Sequence, residues 1–540
     1  MEDNLEFIIN DIENLANSNR LEEAFAKLDY LIKHNKKNPL FLNIRGVLRL
    51  RNNEYDFAIS DFNKAIKIQP IYSEAYSNLG VAYRQVNKID LAINSFKKSI
   101  ALDETNIDAS LNLGATFFSL SRSFEAISLF EKVIKIQKEN ISSYLYLGAS
   151  YLSLNKVEEA LKYLLDGLKF NNKTPQLFIG VGNCYKYLHK KEKAIQAYLR
   201  AYELDKNNIE ILYVLSDLNY SFSKEQIFSL QNLAYDENHH QYEYINFALF
   251  NIFNSRKDYD TAFFYLKKAN DCLKNKIFYD HNASLDYPNK VKNIFNFIQG
   301  YDFNSEKVDK RLIFIVGMPR SGTSLLEQVL SSSNEIYAAG ELRFIPSEMS
   351  SLISKQTSAK QILKKLNEIK KNYLENISKL TCKSIIVDKM PNNYFYIGFI
   401  SRMFPNSKII HIKREPIATC FSNYKIFFDS EQMQYTCDIG FIKDNYRIYE
   451  DLIKFWKTKR INNLLHINYE DLTENPKKYF NSIFDFLEID FNESFLNLEN
   501  SSRAVTTASS NQVSNKIYKG SSEDWLHYKN HLSLLINEFT

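Results

Sequence analysis

The chain has 540 residues, which is too many for one hydrophobic core, because single domains usually contain about 100–200 residues. Its composition, with 45% hydrophobic and 24% charged residues, is typical of globular proteins and excludes a disordered or collagen-like chain. The 68 basic and 64 acidic residues leave a net charge of +4. The overall charge therefore gives no indication of DNA or RNA binding, and any anion site must be local.

The cysteines and the hydrophobic pattern indicate the cellular compartment. The five cysteines are scattered and include no CxxC pair, which argues against a disulfide framework and a structural zinc site and favours a reducing environment. The first residues are acidic and lack the apolar region of a secretory signal. The sequence contains no run of about 18 uncharged apolar residues, so no membrane span is expected. These features predict a cytoplasmic protein.

Three kinds of residue recur with a period of 34 in the first part of the chain. The glycines are Gly46, Gly80, Gly114, Gly148 and Gly182, the alanines are Ala24, Ala58, Ala92, Ala126, Ala160 and Ala194, and a bulky residue follows each alanine four positions later. Small residues let paired helices approach closely, and the bulky residue fills the groove beside them. The period is typical of tetratricopeptide repeats, so residues 1–235 are predicted to form an α-solenoid of stacked helix pairs.

The repeat register becomes weak after residue 235. Ala262 lies 68 residues, or two periods, after Ala194, and Leu266 and Ala269 follow it. The unit between these markers has lost its own marker residues. We therefore expect residues 236–310 to form a degenerate repeat or a helical connector.

A strand, a glycine-bounded loop and a helix are predicted in succession from residue 312. Residues 312–316 are a continuous apolar run, which predicts a strand buried on both faces of a parallel sheet. The loop from Gly317 to Gly322 directs backbone N–H groups at a phosphate-like anion, unless it is a tight turn without a ligand. Thr323 stands where nucleoside triphosphatases carry a lysine, which argues against ATP or GTP hydrolysis. Arg320 can supply the positive charge instead.

This loop also carries a family resemblance. Residues 316–324 resemble the 5′-phosphosulfate loop of sulfotransferases, especially the tyrosylprotein sulfotransferase-like group, and the combination with repeats resembles the tetratricopeptide-repeat sulfotransferases. The resemblance covers residues 311–540. It implies a P-loop-like, three-layer α/β domain with a parallel sheet, which uses 3′-phosphoadenosine-5′-phosphosulfate (PAPS) as sulfuryl donor and needs no metal. The residues it assigns to the 5′-phosphosulfate are Arg320, Ser321, Gly322, Thr323 and Ser324.

A second anion site is expected for the 3′-phosphate of the donor. Residues 409–412 are predicted to form a strand, Arg414 follows its end, and Pro416 suits the first turn of a helix. Ligands of parallel sheets bind at such carboxyl ends, and arginine offers a forked donor to phosphate. Ser422 lies eight residues after Arg414, a spacing that resembles the 3′-phosphate motif of the family. The alternative is a structural pairing of Arg414 with Glu415.

The acceptor chemistry is expected between the two anion sites. Glu341 resembles the glutamate base of the family, and a carboxylate within hydrogen-bond reach can remove the acceptor proton as sulfur is attacked. Lys389, after a third strand at residues 384–387, matches the lysine that stabilises the sulfuryl group in the transition state. With Arg320 these residues form the predicted catalytic set. The structural alternatives are a helix-start carboxylate for Glu341 and a lysine paired with Asp388.

Two later segments resemble parts of the family that contact the donor. A fourth strand at residues 464–468 ends in Tyr469, whose counterpart touches the donor. The segment 507–519 resembles the loop that covers the nucleotide, with Ser510 and Gln512 as binding residues.

Two positions depart from the family pattern. Asp524 replaces a lysine, and Ile426, next to Lys425, replaces a second basic residue. We interpret His411 and His466, both on predicted strands, as structural residues, with His411 as the next candidate for the base.

The repeats and the glutamate-bearing segment indicate the acceptor. A solenoid presents an extended concave surface suited to peptides or proteins, and the segment resembles the tyrosylprotein group. We therefore expect a sulfotransferase that acts on protein tyrosine, with a protein or peptide partner and no nucleic acid. The alternatives are a saccharide or lipid-linked acceptor, a non-catalytic repeat scaffold with a nucleotide-binding domain, and a nucleotide kinase or triphosphatase.

Overall fold

The computed structural model describes residues 2–277, 279–301, 310–354, 358–428, 430–498 and 520–540, together with Ala504, Thr506 and Ile517. The internal contacts of the chain divide it into two compact units, Met1–Ser150 and Tyr151–Thr540. The second unit therefore contains both the later part of the repeat segment and the region of the predicted sheet.

The first unit is a series of helix pairs. Its helices are α1 (Glu2–Asn17), α2 (Leu21–His34), α3 (Leu40–Arg51), α4 (Tyr55–Ile68), α5 (Ser73–Gln85), α6 (Ile89–Leu102), α7 (Ile107–Ser119), α8 (Ser123–Ile136) and most of α9 (Ile141–Ser153). The small and bulky positions meet as predicted: a Cβ atom on the recurring glycines would lie only 2.5 to 2.6 Å from the bulky ring. These pairs are Gly46 with Phe62, Gly80 with Phe96 and Gly114 with Phe130. The predicted repeat packing is confirmed in this unit.

A left-handed residue forms the turn inside each helix pair. The backbone φ angle lies between 56° and 61° at six turn residues spaced by 34 positions, namely Asn19, Asn53, Asn87, Ser121, Asn155 and His189. Asparagine tolerates this conformation better than most residues, because its short polar side chain can bond locally. The asparagines are therefore a fourth recurring marker of the repeat.

The helices of the repeat segment continue through the second unit. They are α10 (Val157–Phe170), α11 (Pro175–Tyr187), α12 (Lys191–Leu204), α13 (Ile209–Asp217), α14 (Lys224–Leu233), α15 (Tyr242–Ser255), α16 (Tyr259–Lys276) and α17 (His281–Ile298). The turn between α15 and α16 contains Lys257, which lies two periods after His189 and also has a positive φ, of 63°. This pair therefore retains the repeat register.

Aromatic contacts join these helices to the sheet region of the same unit. The ring of Phe427 lies 5.0 to 6.3 Å, between centroids, from the rings of Tyr213, Tyr244 and Phe247. Phe295 of α17 packs edge-on against Trp456 at 5.0 Å. The later helices and the sheet region therefore share buried apolar contacts.

Among its described residues, the sheet region contains five parallel strands in the order β2-β3-β1-β4-β5. They are β1 (Arg311–Gly317), β2 (Ile336–Ala338), β3 (Ile385–Lys389), β4 (Lys408–Lys413) and β5 (Leu464–Asn468). The four predicted strands are confirmed, whereas β2 is too short to produce a recognisable pattern. Between β3 and β4 the chain crosses from one side of β1 to the other, and ligands of such sheets bind at the carboxyl ends of the strands near this crossing.

Helices cover both faces of the sheet, as predicted for a three-layer α/β domain. They are α18 (Thr323–Leu330), α19 (Phe344–Ile353), α20 (Ala359–Leu380), α21 (Ile397–Met403), α22 (Pro416–Tyr424), α23 (Ile439–Thr458), α24 (Tyr469–Glu474), α25 (Pro476–Leu487) and α26 (Ser533–Phe539), with short 3₁₀ helices at Pro391–Tyr396, Glu431–Cys437, Glu493–Leu496 and Asp524–His531. Ile313 and Ile315 pack into a cluster with Phe484 on one face. Phe314, which points to the other face, lies 6.0 Å from the ring of Tyr373. Within the described ranges, none of the helices combines the length and apolar character needed to cross a bilayer.

Candidate active site

The loop between β1 and α18 is tight and closely packed at both ends. Arg320 and Gly322 have positive φ angles of 70° and 101°. A Cβ atom on Gly317 would lie 2.4 Å from the carbonyl oxygen of Ile412. A Cβ atom on Gly322 would lie 2.2 Å from the ring of Tyr469. Glycine is therefore required at both ends, and the loop leads directly into the N-terminus of a helix, a geometry suited to binding an anion.

Arg414, which follows β4, connects the elements around this loop. Its guanidinium donates to the carbonyl oxygen of Arg320 (Nη1–O, 3.2 Å), to the hydroxyl of Ser522 (Nε–Oγ, 3.1 Å) and to the carbonyl oxygen of Ser521. Its Cζ atom lies 4.9 Å from the ring centroid of Tyr469, within cation–π range. The forked side chain thus holds the predicted phosphosulfate loop, the end of β5 and the C-terminal segment together.

Among the described contacts, no hydrogen bond or ion pair joins Glu415 to Arg414, although burial raises the pKa of Glu415 and the nearby charge of Arg414 partly opposes this increase. The Glu415 carboxylate accepts hydrogen bonds from the backbone N–H groups of Ile417 (3.0 Å) and Ala418, and so caps α22. Later in this helix, the hydroxyl of Ser422 accepts a hydrogen bond from Arg320 (Nε–Oγ, 3.0 Å). The structure therefore brings the two predicted anion sites into direct contact.

Lys425 and Asp524 lie close to this arginine pair. Burial lowers the pKa of the Lys425 ammonium to about 8, the negative charge of Asp524 opposes the decrease, and the positive charges of Arg320 and Arg414 add to it. The acid that departs from the family pattern and the lysine next to Ile426 thus belong to one charged cluster. The positive charges of Arg320, Arg414 and Lys425 and the negative charge of Asp524 thus influence one another in this cluster.

Glu341 and Lys389 form an ion pair at the end of β3. Lys389 Nζ lies 2.5 Å from Glu341 Oε1. The lysine side chain is fully buried, whereas 39% of the glutamate side chain is exposed. The alternative partner, Asp388, accepts a hydrogen bond from the hydroxyl of Tyr373 at 2.9 Å instead. The carboxylate can therefore meet a ligand from solvent while the lysine reaches it from the sheet.

Two buried acids support the segment that carries Glu341. Glu327 of α18 accepts a hydrogen bond from the backbone N–H of Gly340 (3.0 Å). Burial raises the pKa of Asp388 to about 8, and a hydrogen bond from the backbone N–H of Leu342 reduces this increase. The residues before and after Glu341 are thus each held by a carboxyl group.

The two histidines are engaged with each other and with a tyrosine. His466 Nδ1 lies 2.9 Å from His411 Nδ1, and His411 Nε2 lies 2.6 Å from the hydroxyl of Tyr449. Burial lowers the pKa of His411 well below its usual value and that of His466 to about 4. These contacts support the structural interpretation of both residues.

Of the remaining predicted donor-binding residues, some are buried near the loop and others lie outside the described residues. Ser321, Thr323 and Ser324 are buried in the loop and at the start of α18. The Ser321 hydroxyl has no hydrogen-bond partner among the described residues. Ser510 and Gln512 lie outside the described residues. In the part of the chain that the structure describes, no three or more histidines, cysteines or acids are grouped as metal ligands would be.

The sequence analysis missed several residues of the site. Glu470 accepts hydrogen bonds from the hydroxyl of Ser522 (2.7 Å) and from the backbone N–H of Glu415 (3.0 Å). The position of Glu470 directly after Tyr469 was the only feature of the sequence that pointed to a role in the site. Ser521, whose hydroxyl lies 2.8 Å from that of Tyr469, belongs to no motif.

Family models match two parts of the chain. Residues 312–493 match a model described as "Sulfotransferase family", and residues 73–106 and 175–208 match models of the tetratricopeptide repeat. The chain therefore combines tetratricopeptide repeats with a sulfotransferase domain, as the sequence predicted.

The relatives are distant or matched over part of their length. The chain is 34% identical over 311 residues to an uncharacterized protein of Aquifex aeolicus (strain VF5), which covers 54% of the chain and 40% of that protein. It is 25% identical to protein-tyrosine sulfotransferase 1 of Danio rerio over 35% of the chain and 57% of the relative. For protein-tyrosine sulfotransferase of Drosophila melanogaster, the identity is 26% over 37% of the chain and 42% of the relative. The chain thus spans about half the length of these curated relatives.

Two solved structures resemble part of the chain. The crystal structure of MamA is 23% identical, with a TM-score of 0.29, and the match covers 30% of this chain and 94% of that one. The crystal structure of YrrB, a TPR protein, is 19% identical, with a TM-score of 0.31, and the match covers 35% of this chain and 96% of that one.

Proposed function

We propose that this protein transfers a sulfuryl group from PAPS to the hydroxyl of a tyrosine in a protein or peptide. The observation that carries the proposal is the arrangement at the ends of three neighbouring strands. Lys389, paired with Glu341, ends β3, the anion loop follows β1, and Arg414 follows β4. The match to the sulfotransferase family and the protein-tyrosine sulfotransferase relatives support the reaction. The repeats support a protein acceptor.

The proposed reaction is an in-line displacement at sulfur. The acceptor oxygen bonds to sulfur while the bond between sulfur and the bridging oxygen of the 5′-phosphate breaks, and its electron pair stays with the phosphate. The acceptor proton passes to the Glu341 carboxylate. An ammonium has three N–H donors, so Lys389 can keep its contact with Glu341 and also donate to the bridging oxygen, where negative charge develops.

The donor's two phosphate groups would occupy the two parts of the charged cluster. The 5′-phosphosulfate would lie in the loop from Arg320 to Ser324, where the buried Ser321 hydroxyl lacks a described partner. The 3′-phosphate would lie between Arg414 and Ser422, each of which forms a hydrogen bond with Arg320. Tyr469, Ser510 and Gln512 complete the proposed donor contacts. The cytoplasmic location stays a prediction.

The proposal is tested with the full-length protein in two steps. Adenosine-3′,5′-bisphosphate, the by-product, should raise the melting temperature by about 2–5 °C at a concentration of about 100 Kd, whereas ATP should not. Transfer from labelled PAPS is then measured to tyrosine peptides, to the same peptides with phenylalanine, and to saccharides. Label on the tyrosine peptides alone supports the proposal.

Three other outcomes would contradict the proposal. Equal stabilisation by ATP would indicate a nucleotide kinase or triphosphatase. By-product binding without any transfer would indicate a scaffold, and label on saccharides would reassign the acceptor.

Lys425 provides a pH-dependent test of the donor site. With a pKa of about 8 in the free protein, Lys425 is charged below pH 8 and loses its charge above it. A bound phosphate favours the charged form, so by-product affinity should fall as the pH rises from 7 to 9. The nucleotide phosphates are already ionised in this range, because their second pKa is about 6. Lys425→Met should weaken binding at pH 7 by about 10-fold or more and flatten the pH profile.

A matched control for this measurement is Lys408→Met. Lys408 lies at the opposite end of β4 and pairs with Glu488 at 2.8 Å. Titration calorimetry should find an unchanged pH profile in the control. An undiminished slope in the Lys425 variant would place the titrating group elsewhere.

A further inference from the structure

The turn between α9 and α10 lies against the segment that carries Glu341. Asn155 forms this turn in the left-handed conformation, with φ of 57°. Its side-chain Nδ2 donates to the carbonyl oxygen of Ala338 at 3.4 Å. A Cβ atom on Gly340 would lie 3.2 Å from Asn155 Cγ. The asparagine side chain therefore contacts the segment both by a hydrogen bond and by close packing.

Gly340 is the point at which this contact can affect the proposed base. Its backbone is left-handed, with φ of 74°, and its carbonyl oxygen accepts a hydrogen bond from the backbone N–H of Lys389 at 2.9 Å. Its N–H donates to Glu327. Three sides of the Gly340 peptide are thus occupied, by β3, by α18 and by Asn155. The next residue is Glu341, so the orientation of Gly340 sets where the carboxylate points.

Asn155 is itself held in place. Besides its own turn, which is closed by a hydrogen bond from the N–H of Lys156 to the carbonyl oxygen of Tyr151 (2.9 Å), its Oδ1 accepts a hydrogen bond from the hydroxyl of Thr506 at 2.8 Å. Because the turn fixes the backbone of Asn155 and Thr506 fixes its side-chain oxygen, Asn155 can restrict the movement of the segment that it contacts.

A tyrosine of the following repeat interacts electrostatically with the proposed base. Tyr187 ends α11, and burial raises the pKa of its phenol, with a further increase from the negative charge of Glu341.

We propose that Asn155 is a positioning residue of the active site, so that a repeat turn determines the placement of Glu341. The inference rests on the proposed function, because Glu341 is a base only if the protein transfers a group to a hydroxyl. The side chain of Asn155 acts through Ala338 and Gly340 and keeps the Glu341 carboxylate beside Lys389. Reaction rates are sensitive to such placement, since a displacement of about 1 Å can cost about 100-fold.

The full-length chain offers a clean variant with an internal control. Asn155→Gly removes the side chain but keeps a residue that favours the left-handed turn. Asn87→Gly makes the same change at the equivalent turn of an earlier repeat, where φ is 56° and the residue is exposed. We expect Asn155→Gly to reduce kcat by about 10-fold to 100-fold with little change in the KM for PAPS, and Asn87→Gly to retain the wild-type values.

A second measurement does not depend on activity. Amide hydrogen exchange, followed by mass spectrometry, should become faster in residues 336–345 of Asn155→Gly and stay unchanged in the control. A second variant, Asn155→Asp, keeps the shape but cannot donate to Ala338, and should accelerate exchange in the same segment. Wild-type exchange of this segment in both variants would overturn the inference. If the wild-type protein bound the by-product but transferred to no acceptor, the proposed function would be refuted. The exchange data would then still show whether Asn155 holds the segment 336–345 in place.

Discussion

Replacing Glu341 by glutamine should reduce transfer by about 10²–10⁴-fold, the usual contribution of a general base. Glutamine keeps an amide oxygen that can still accept a hydrogen bond from Lys389 Nζ, so the buried ammonium retains a partner, but the amide cannot take up the acceptor proton. Binding of adenosine-3′,5′-bisphosphate should persist, because the by-product carries neither the sulfuryl group nor the acceptor. Single-turnover kinetics with labelled PAPS and calorimetry with the by-product separate the two effects.

Glu335→Gln is the matched control for this variant. Glu335 is an exposed acid shortly before β2, six residues before Glu341, and its neutralisation should leave transfer at the wild-type rate. Wild-type transfer by the Glu341 variant would show that another group removes the proton, and His411→Gln would then be the next variant to measure.

Arg414→Ala should weaken binding of the 3′-phosphorylated by-product by about 2–5 kcal/mol, or about 30-fold to several thousand-fold in Kd. The guanidinium lies half-buried between Tyr469 and the anion loop, where it can offer a forked donor to a phosphate. Adenosine-5′-monophosphate lacks the 3′-phosphate and should bind the variant and the wild type with similar affinity. Calorimetry with the two nucleotides measures this difference directly.

The comparison also distinguishes phosphate binding from a structural role. Arg414 bonds to the loop carbonyl of Arg320, so a variant with a collapsed loop would lose affinity for both nucleotides equally, and that result would reject the assignment. Lys413→Gln is the control at the preceding position. Lys413 pairs with Glu450 at 2.8 Å, and its replacement should change neither affinity.

The elements that repeat or alternate in the sequence were the ones that could be predicted. The period of 34 gave the helix pairs because close packing of glycine against an aromatic ring requires the same residues in every repeat. Four strands were predicted because each contains apolar residues next to a motif, although β5 is only partly buried. Strand β2 has three residues, too few for a pattern, and the left-handed asparagines were overlooked although Asn53 and Asn87 recur with the same period as the glycines.

The supporting contacts of the candidate site were not predictable in the same way. Arg320 meets Ser422 across 102 residues of sequence, and Asn155 meets Ala338 across 183. Such pairs are brought together by the packing of whole elements, and a single sequence carries no local signal for them. The buried acid Glu327 illustrates the difficulty, since within the helical pattern of α18 it has the character of an ordinary surface residue.

The division of the chain at Ser150, inside the repeat segment, has an evolutionary consequence. Solenoids commonly lengthen or shorten by whole repeats, because each repeat contacts only its neighbours. The repeats after Ser150 are not interchangeable in this way, since their loss would remove the aromatic partners of Phe427 or the asparagine beside Gly340. Gain and loss of repeats among proteins of the same architecture should therefore be concentrated before the position of residue 150, while the later helices are inherited together with the sheet region as a single block.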